Sequence, residues 1–540
     1  MMKYPLLVRT ILERCRQLFP KKEIVSRDFS GIFRYTYGEF YERVCRLANV
    51  LEKLGVKRGD RVATLAWNNH RHLELYFAVP CTGAVLHTVN LRLFSEQIVY
   101  ILNHAGDKLI FIDEDLVPII EGIKEQIKTI ELFVIMTDKE SIPGTSLGPV
   151  YSYEDLLREA PPVYDFPTDL DDWSPAAMCY TTATTGDPKG VMYSHRALYL
   201  HSLMSGMVDT FAISEKDVVM PVVPMFHVNA WGLPFTATLV GAKQVLPGVR
   251  PDPRTLCSLI ESERVTVTAG VPTIWMECFK LLEDGSYDVS SLNRILAGGS
   301  AIPRVFIEAY EKKLGVPIIN VYGMTETTPL TLVSRPKSYM LDWPEEQLYQ
   351  VRAKQGLFVP GIEMRVVDEN GNSVPRDGRT MGELQFRGPW ITEEYYKDPE
   401  RTRDALRDGW FRTQDIVTVD EEGYVYICDR SKDLIKSGGE WISSVDLENT
   451  IMAHPAVAEA VVIAMPHEKW QERPLACVVL KEEFRGKVTA GDILEFLRGR
   501  VAKWWLPDRI EFIDEVPKTS VGKFNKKALR QRFFPEHYGD

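Results

Sequence analysis

The stretch Tyr180-Thr-Thr-Ala-Thr-Thr-Gly-Asp-Pro-Lys-Gly190 lies between two short apolar segments, residues 176–180 and 191–193. A polar loop between buried strands suits a polyphosphate, because backbone N–H groups and threonine hydroxyls donate hydrogen bonds and Lys189 supplies positive charge. The same composition is typical of a solvated threonine-rich turn. A second motif, residues 322–329, favours the phosphate interpretation.

Length and composition limit the classes of protein that this chain can belong to. Its 540 residues predict roughly three to four domain-sized units, and 45% hydrophobic content is ordinary for a globular protein. The formal net charge of −11 gives no overall indication of nucleic-acid binding.

The eight cysteines are scattered without C-x-x-C spacing, so we expect neither a zinc site nor a disulfide framework, and a reducing, cytoplasmic compartment fits. Charges interrupt the amphipathic N-terminus too early for a signal peptide. No apolar run is long enough to cross a membrane, and a peripheral membrane contact stays open.

Hydrophobic periodicity predicts alternating strands and helices over residues 1–172, which is typical of parallel sheets. Residues 37–54 form an amphipathic helix in this interpretation, and the Pro-, Gly- and acid-rich segment 144–172 a surface connection. Four further strands are expected in a second alternating block that ends near residue 335, each followed by a polar or glycine-rich turn. Ligands of such sheets bind at the carboxyl ends of strands.

The chain changes character after residue 355. Short strands and turns over residues 355–428 predict a small β-rich unit. A charged break at 429–434 precedes about 105 residues that predict a separate α+β domain. The predicted fold class is therefore α/β, with a large N-terminal domain of strand–helix sheets plus a β-rich unit, and a small, mobile α+β C-terminal domain. The predicted bounds are 1–428, a hinge linker at 429–434, and a lid at 435–540.

The common signatures of P-loop NTPases, serine hydrolases, zinc proteases and dinucleotide-binding proteins are absent from the sequence. What remains is a series of polar motifs after predicted strands. In Tyr322-Gly-Met-Thr-Glu-Thr-Thr-Pro329, Thr325 suits a phosphate oxygen, and Glu326 suits Mg²⁺ or, alternatively, a helix N-terminus. Asp415 and Arg430 suit ribose hydroxyls or a surface ion pair, and Lys523 lies on a loop from which it could reach a phosphate.

Taken together and in this order, the motifs resemble those of the adenylate-forming superfamily of acyl-CoA synthetases, luciferases and nonribosomal adenylation domains. The resemblance covers about residues 30–530. It is strongest to long-chain fatty acyl-CoA synthetases, through Pro224-Met-Phe-His-Val-Asn-Ala-Trp231 and residues 429–444.

The resemblance implies roles for individual residues. Lys523, Glu326 and Thr181 would be catalytic, and Thr181 and Glu326 would hold Mg²⁺. The acyl and thioester-forming sites would include His227, Val228, Trp231, Gly438 and Gly439. ATP would contact Thr181, Thr182, Thr184, Thr185, Gly186, Lys189, Gly299, Ser300, Ala301, Val321, Tyr322, Gly323, Met324, Thr325, Asp415, Arg430, Lys432, Lys436 and Trp441.

Two positions depart from the family pattern. Ala183 and Gln414 each stand where the family usually has glycine. At Ala183 the threonine-rich loop is expected to be stiffer or differently shaped, and at Gln414 a side chain is expected to project beside the nucleotide. Either change could slow turnover or alter nucleotide affinity.

The resemblance implies an ATP-dependent ligase that converts a medium- to long-chain fatty acid to acyl-AMP and then, with CoA, to acyl-CoA, and family precedent favours a homodimer. The net charge of −11 leads us to expect no nucleic-acid partner. Three alternatives stay open: an aryl or short-chain acyl-CoA ligase, an acyl-AMP ligase that loads a carrier protein, and a non-catalytic nucleotide-binding protein.

Overall fold

In the computed structural model, residues 1–181, 187–431, 433–438, 440–518 and 524–538 are described. Two mixed sheets with helices around them build the N-terminal part of the chain. The first sheet contains, in spatial order, Val150–Ser152, Leu132–Met136, Asp107–Asp113, Arg61–Leu65, Val85–Thr88, Pro175–Tyr180 and Gly190–Ser194. Its strands are parallel except for the final pair, which is antiparallel and flanks the threonine-rich loop.

The second sheet carries most of the motifs that follow strands. Its central strands are parallel, and antiparallel strands close both edges. The strands are, in spatial order, Leu357–Phe358, Leu330–Val333, Ile318–Gly323, Arg294–Gly298, Val267–Gly270, Val218–Pro221, Lys243–Leu246, Glu23–Asp28 and Gly31–Thr36.

Helices of the N-terminal part cover these sheets and bury their apolar faces against them. The predicted helix at 37–54 is present as Tyr37–Lys53, and a capping box between Thr36 and Glu39 begins it. The helices are Val8–Leu18, Tyr37–Lys53, His70–Cys81, Ser95–Ala105, Val117–Glu121, Tyr153–Glu159, His195–Ser205, Leu233–Val240, Pro253–Glu263, Pro272–Leu282, Arg304–Leu314, Glu345–Ala353 and Pro399–Ala405.

The interpretation of residues 144–172 as a surface connection was wrong in part. This segment contains the strand Val150–Ser152 and the helix Tyr153–Glu159. Ser152 caps the helix, and the fully buried Tyr153 donates a 2.6 Å hydrogen bond to Glu74. The prolines, glycines and acidic residues on either side hid the periodicity of this short strand and helix, although Tyr153 of the helix belongs to the buried core.

The predicted β-rich unit is present as an antiparallel sheet. It comprises Glu363–Val367, Gly382–Arg387, Leu406–Arg407, Trp410–Val419 and Val425–Arg430. In the last pair of strands Asp415 lies opposite Arg430, so the register itself brings these two predicted site residues together.

The smaller C-terminal domain has its own sheet and core. Its strands are Ile435–Ser437, Glu440–Ile442, Val457–His467, Gln471–Leu480 and Arg509–Phe512, and its helices are Ser444–Met452, Ala490–Leu497, Lys526–Phe533 and Pro535–Tyr538. The α/β fold class with a large N-terminal and a smaller C-terminal domain is therefore confirmed. The exact domain bounds, the hinge and the mobility stay predictions.

A buried charge cluster ties the start of this domain to its last long helix. Lys526 Nζ lies 2.7 Å from Glu448 Oε1 and donates to the Ser444 hydroxyl. The Ser444 backbone N–H donates in turn to Asp429 Oδ2 at 3.0 Å. Burial raises the pKa of Glu448 to about 7, and Lys526 opposes that shift.

Candidate active site

A cavity of about 860 Å³ lies at the carboxyl ends of the central strands of the second sheet, where ligands of such sheets bind. Val222, Val271, Gly299 and Met324 follow four of these strands and line it. Predicted site residues that line the cavity are Thr181, Lys189, His227, Val228, Trp231, Gly299, Val321, Tyr322, Gly323, Met324, Thr325, Glu326 and Arg430.

The two ends of the threonine-rich loop, Thr181 and Lys189, are held together by hydrogen bonds that continue the pairing of the antiparallel strands on either side. The Thr181 N–H donates to the Lys189 carbonyl at 2.9 Å, and the Lys189 N–H donates to the Thr181 hydroxyl at 3.2 Å. Both residues face the cavity. Thr182, Ala183, Thr184, Thr185 and Gly186 lie outside the described residues.

Glu326 and Lys189 meet at a tyrosine, Tyr395, that no sequence motif indicated. Tyr395 donates a 2.7 Å hydrogen bond to Glu326 Oε1, and Lys189 Nζ donates to the Tyr395 hydroxyl at 2.9 Å. Burial lowers the pKa of Lys189, while the Glu326 carboxylate opposes that shift. The Glu326 side chain therefore points into the site and binds Tyr395, rather than serving a helix N-terminus.

Asp415, Arg430 and Tyr322 form a second polar cluster at the cavity. Arg430 Nε lies 2.5 Å from Asp415 Oδ1, and the Tyr322 hydroxyl donates to Asp415 Oδ2. Asp415 is buried, and its charge is the largest cause that raises the pKa of Arg430. Both carboxylate oxygens of Asp415 are thus engaged, one by a charge and one by a phenol.

The turn before Asp415 keeps the conformation that favours glycine. Gln414 has φ 61°, in the left-handed region, and its exposed side chain lines the cavity. Its carbonyl accepts the backbone N–H of Ser431 at 2.9 Å, beside Arg430. The departure from glycine therefore adds a side chain to the cavity wall while the left-handed backbone is retained.

The apolar end of the cavity is built around a strained turn. Val228, Asn229, Ala230 and Trp231 have φ between 46° and 57°, and Gly232 follows at 73°. Left-handed conformations cost roughly 1–2 kcal/mol for each residue other than glycine, so tertiary contacts must stabilise this turn. The apolar residues that line this end are Phe211, Val222, Val223, Pro224, Val228, Trp231, Val271, Ile274, Pro329 and Leu330.

Several predicted site residues lie elsewhere. Ser300 and Ala301 are exposed and do not line the cavity, although Gly299 before them does. Lys436 and Trp441 pair across a hairpin of the C-terminal domain and also do not line it. Gly438, in the same hairpin, donates its N–H to the Trp470 carbonyl at 2.9 Å. Lys432, Gly439 and Lys523 are outside the described residues.

Family models match both parts of the chain. The model described as AMP-binding enzyme matches residues 12–396, and the model of the AMP-binding enzyme C-terminal domain matches residues 446–523. The chain belongs to the AMP-binding enzyme family. This confirms the resemblance to adenylate-forming enzymes that the motifs indicated.

Relatives of this AMP-binding enzyme match along nearly its full length. A long-chain-fatty-acid–CoA ligase of Thermus thermophilus is 53% identical, over 98% of this chain and 95% of its own. A medium-chain-fatty-acid–CoA ligase of Ectopseudomonas oleovorans is 41% identical, over 99% of this chain and 97% of its own. The crystal structure of the anthranilate CoA ligase AuaEII with anthranoyl-AMP superposes with a TM-score of 0.88 at 25% identity, covering 99% of both chains.

No helix within the described part of this AMP-binding enzyme is long and apolar enough to cross a membrane.

Proposed function

We propose that this AMP-binding enzyme is a fatty acid–CoA ligase for medium- to long-chain substrates. The observation that carries the proposal is a single cavity with a charged end, at Lys189, Glu326 and Arg430, and an apolar end around Trp231. A nucleoside triphosphate suits the charged end, and an aliphatic chain suits the apolar end. Similarity to the long-chain and medium-chain ligases supports the same substrate class.

The chemistry requires two steps. In the first, the fatty carboxylate attacks the α-phosphorus of ATP, so that acyl-AMP forms and pyrophosphate leaves. In the second, the sulfur of CoA attacks the acyl carbonyl after its thiol proton is lost, and AMP leaves. No residue is proposed as a covalent nucleophile, because the acyl-AMP carbonyl is already activated.

The first step brings negative charges together, and the residues of the charged end offset that repulsion. Thr181 and Lys189 would bind phosphate oxygens, and Asp415 with Arg430 would hold the ribose. Glu326 and Thr181 offer a carboxylate and a hydroxyl at one cavity, which are hard oxygen donors that suit Mg²⁺. When bound, Mg²⁺ would neutralise phosphate charge.

A panel of acids tests the proposal. AMP release is followed with ATP, Mg²⁺ and CoA, using dodecanoate and hexadecanoate against octanoate, butyrate and benzoate. The highest kcat/KM is expected for an aliphatic acid of at least eight carbons. Preference for benzoate or butyrate would select the aryl or short-chain ligase. Acyl-AMP formation without CoA thioester would select carrier-protein loading, and no acid-dependent AMP release would indicate a non-catalytic protein.

Lys523 is proposed to act in the first step alone. Lys523→Ala is expected to lower acid-dependent pyrophosphate release by about 100- to 1000-fold, as for loss of one transition-state donor, while thioester formation from supplied acyl-AMP persists. Lys527→Ala, four residues away in the helix Lys526–Phe533, is the matched control. Equal losses in the two half-reactions would contradict the role.

Trp231 is proposed to line the path of the acyl chain, since it borders the apolar end of the cavity. Trp231→Ala is expected to move the chain-length optimum, measured as kcat/KM across the same acids. Trp173→Ala is the control, because that tryptophan is 62% exposed. An unchanged profile in Trp231→Ala would refute the assignment.

We propose a homodimer from family precedent and a cytoplasmic location from the scattered cysteines, and sedimentation of the purified protein tests the oligomeric state.

A further inference from the structure

Tyr395 lies between the two charged side chains of the proposed nucleotide site. It is 4% exposed, and its hydroxyl bridges Lys189 Nζ at 2.9 Å and Glu326 Oε1 at 2.7 Å. The same ammonium lies 4.1 Å from the centre of the tyrosine ring. One phenol therefore contacts a cation through both its oxygen and its π-face, and a carboxylate through its proton.

The backbone around Tyr395 is fixed to both motifs that flank the site. The Thr392 N–H donates to the Glu326 carbonyl at 2.8 Å, and the Tyr396 N–H donates to the Gly190 carbonyl at 2.8 Å. The Tyr395 N–H donates to the Thr402 hydroxyl at 2.9 Å. The segment 392–396 consequently spans the distance between the threonine-rich loop and the Glu326 turn, and its register determines where the phenol sits.

This geometry has a chemical consequence for Lys189 and Glu326. A direct ion pair would leave each charge largely neutralised by the other. With the phenol between them, Glu326 accepts a neutral donor, and Lys189 binds a neutral oxygen that an anionic phosphate oxygen replaces favourably. Both side chains are also held in one orientation before a ligand arrives, which lowers the entropic cost of binding it.

We propose that Tyr395 is a positioning residue that holds Lys189 and Glu326 apart and orients both toward the triphosphate. This inference rests on the proposed function for the identity of the nucleotide. Tyr395 does not itself contact the reacting atoms in this proposal: it acts through the two charged side chains.

Tyr395→Phe tests the proposal, because it removes the hydroxyl and keeps the ring. The KM for ATP and the Mg²⁺ concentration for half-maximal activity are expected to rise roughly ten- to hundredfold, the effect of losing charge-assisted hydrogen bonds, with a smaller change in kcat. Calorimetry with ATP and Mg²⁺, without any acid, is expected to show the same loss of affinity. Tyr396→Phe, the same substitution one residue later, is expected to change neither quantity by more than about twofold.

A double-mutant cycle with Glu326→Gln separates positioning from a merely structural role. If Tyr395 acts through Glu326, its loss has much less effect in the Glu326→Gln background than in the wild type. Additive losses, an unchanged ATP affinity, or an equal loss in Tyr396→Phe would each overturn the proposal. Because the calorimetric readout needs no acyl substrate, weakened ATP binding would uphold the role of Tyr395 even if no fatty acid proved to be a substrate.

Discussion

Gln414 adopts a backbone conformation that glycine adopts more readily than any residue with a side chain. Its φ of 61° lies in the left-handed region, which glycine adopts without a steric penalty. In the antiparallel strand pair that follows, Asp415 lies opposite Arg430. A long, unbranched side chain tolerates this conformation better than a β-branched one, since branching at Cβ crowds the backbone.

Substitutions at Gln414 are expected to destabilise the turn least for glycine and most for a β-branched residue. Gln414→Gly should change the free energy of unfolding by less than about 1 kcal/mol, because relief of the left-handed conformation offsets the greater freedom of the unfolded chain. Gln414→Val should destabilise by about 1–2 kcal/mol and raise the KM for ATP, since relaxation of the turn moves Asp415. Thermal melts and ATP kinetics of the two variants check this, and equal behaviour would contradict it.

At the scale of elements, the left-handed turn at 228–232 is fixed by what packs behind it. A Cβ added to Gly232 would lie 2.7 Å from Nδ1 of the buried His201, whose pKa burial lowers to about 3. On its other side, His201 Nε2 accepts the Leu330 N–H at 3.3 Å. The turn that carries Trp231 is thus held against the helix His195–Ser205.

Gly232→Ala is expected to destabilise the protein by about 1–3 kcal/mol and to reduce activity most for the longest acids, because both the clash and the positive φ displace Trp231. Gly206→Ala, at the end of the same helix as His201, is the control, since its added Cβ would make only ordinary contacts. Thermal midpoints and chain-length profiles are measured for both. Equal effects at the two glycines would exclude the mechanism.

The sequence predicted elements well where periodicity is strong. The helix predicted at residues 37–54 is present as Tyr37–Lys53, because its apolar residues recur on one continuous face. The helix Tyr153–Glu159 was missed, since two turns among prolines and acids show too little periodicity. The left-handed turn was also missed, because Asn229 is the one residue of Val-Asn-Ala-Trp that often adopts positive φ.

At the scale of the whole molecule, the charge cluster at Lys526 links Asp429 of the proposed linker to the helix Lys526–Phe533, which follows Lys523 in the sequence. Burial shifts the pKa of Glu448 from 4.5 to about 7, so the folded state holds this proton more tightly than the unfolded state. The resulting contribution to stability is complete below about pH 4.5, and it is lost as the pH rises through about 7.

Glu448→Gln is therefore expected to flatten the pH dependence of stability. Between pH 5 and pH 8 the wild type should lose about 2.5 kcal/mol relative to this variant, whatever the absolute cost of weakening the contact with Lys526. Apparent thermal midpoints across that range check the slope, with Glu482→Gln, exposed at the surface, as control. Parallel curves for Glu448→Gln and the wild type would contradict the prediction.

Site residues could be predicted from the sequence where they belong to a recognisable motif. They could not be predicted where the site forms by contact between segments that are distant in the sequence. Thr181 and Glu326 come after predicted strands and Lys189 comes directly before one, so all three could be expected at strand ends, where ligands bind. Tyr395 lies in an acidic, aromatic run, and only the three-dimensional contacts reveal its role. The hairpin residues Lys436 and Trp441 depend on how the two domains are arranged, which local sequence does not encode.

The pairing of Asp415 has a thermodynamic consequence for nucleotide binding. Its carboxylate already accepts from Tyr322 and contacts Arg430, so its orientation is fixed before a nucleotide arrives, and its two oxygens keep lone pairs for the ribose hydroxyls. Little conformational freedom is then lost at this side chain on binding. We therefore expect a small entropic cost of AMP binding at this carboxylate, and weaker binding of deoxyribose nucleotides, which lack one of the hydroxyls.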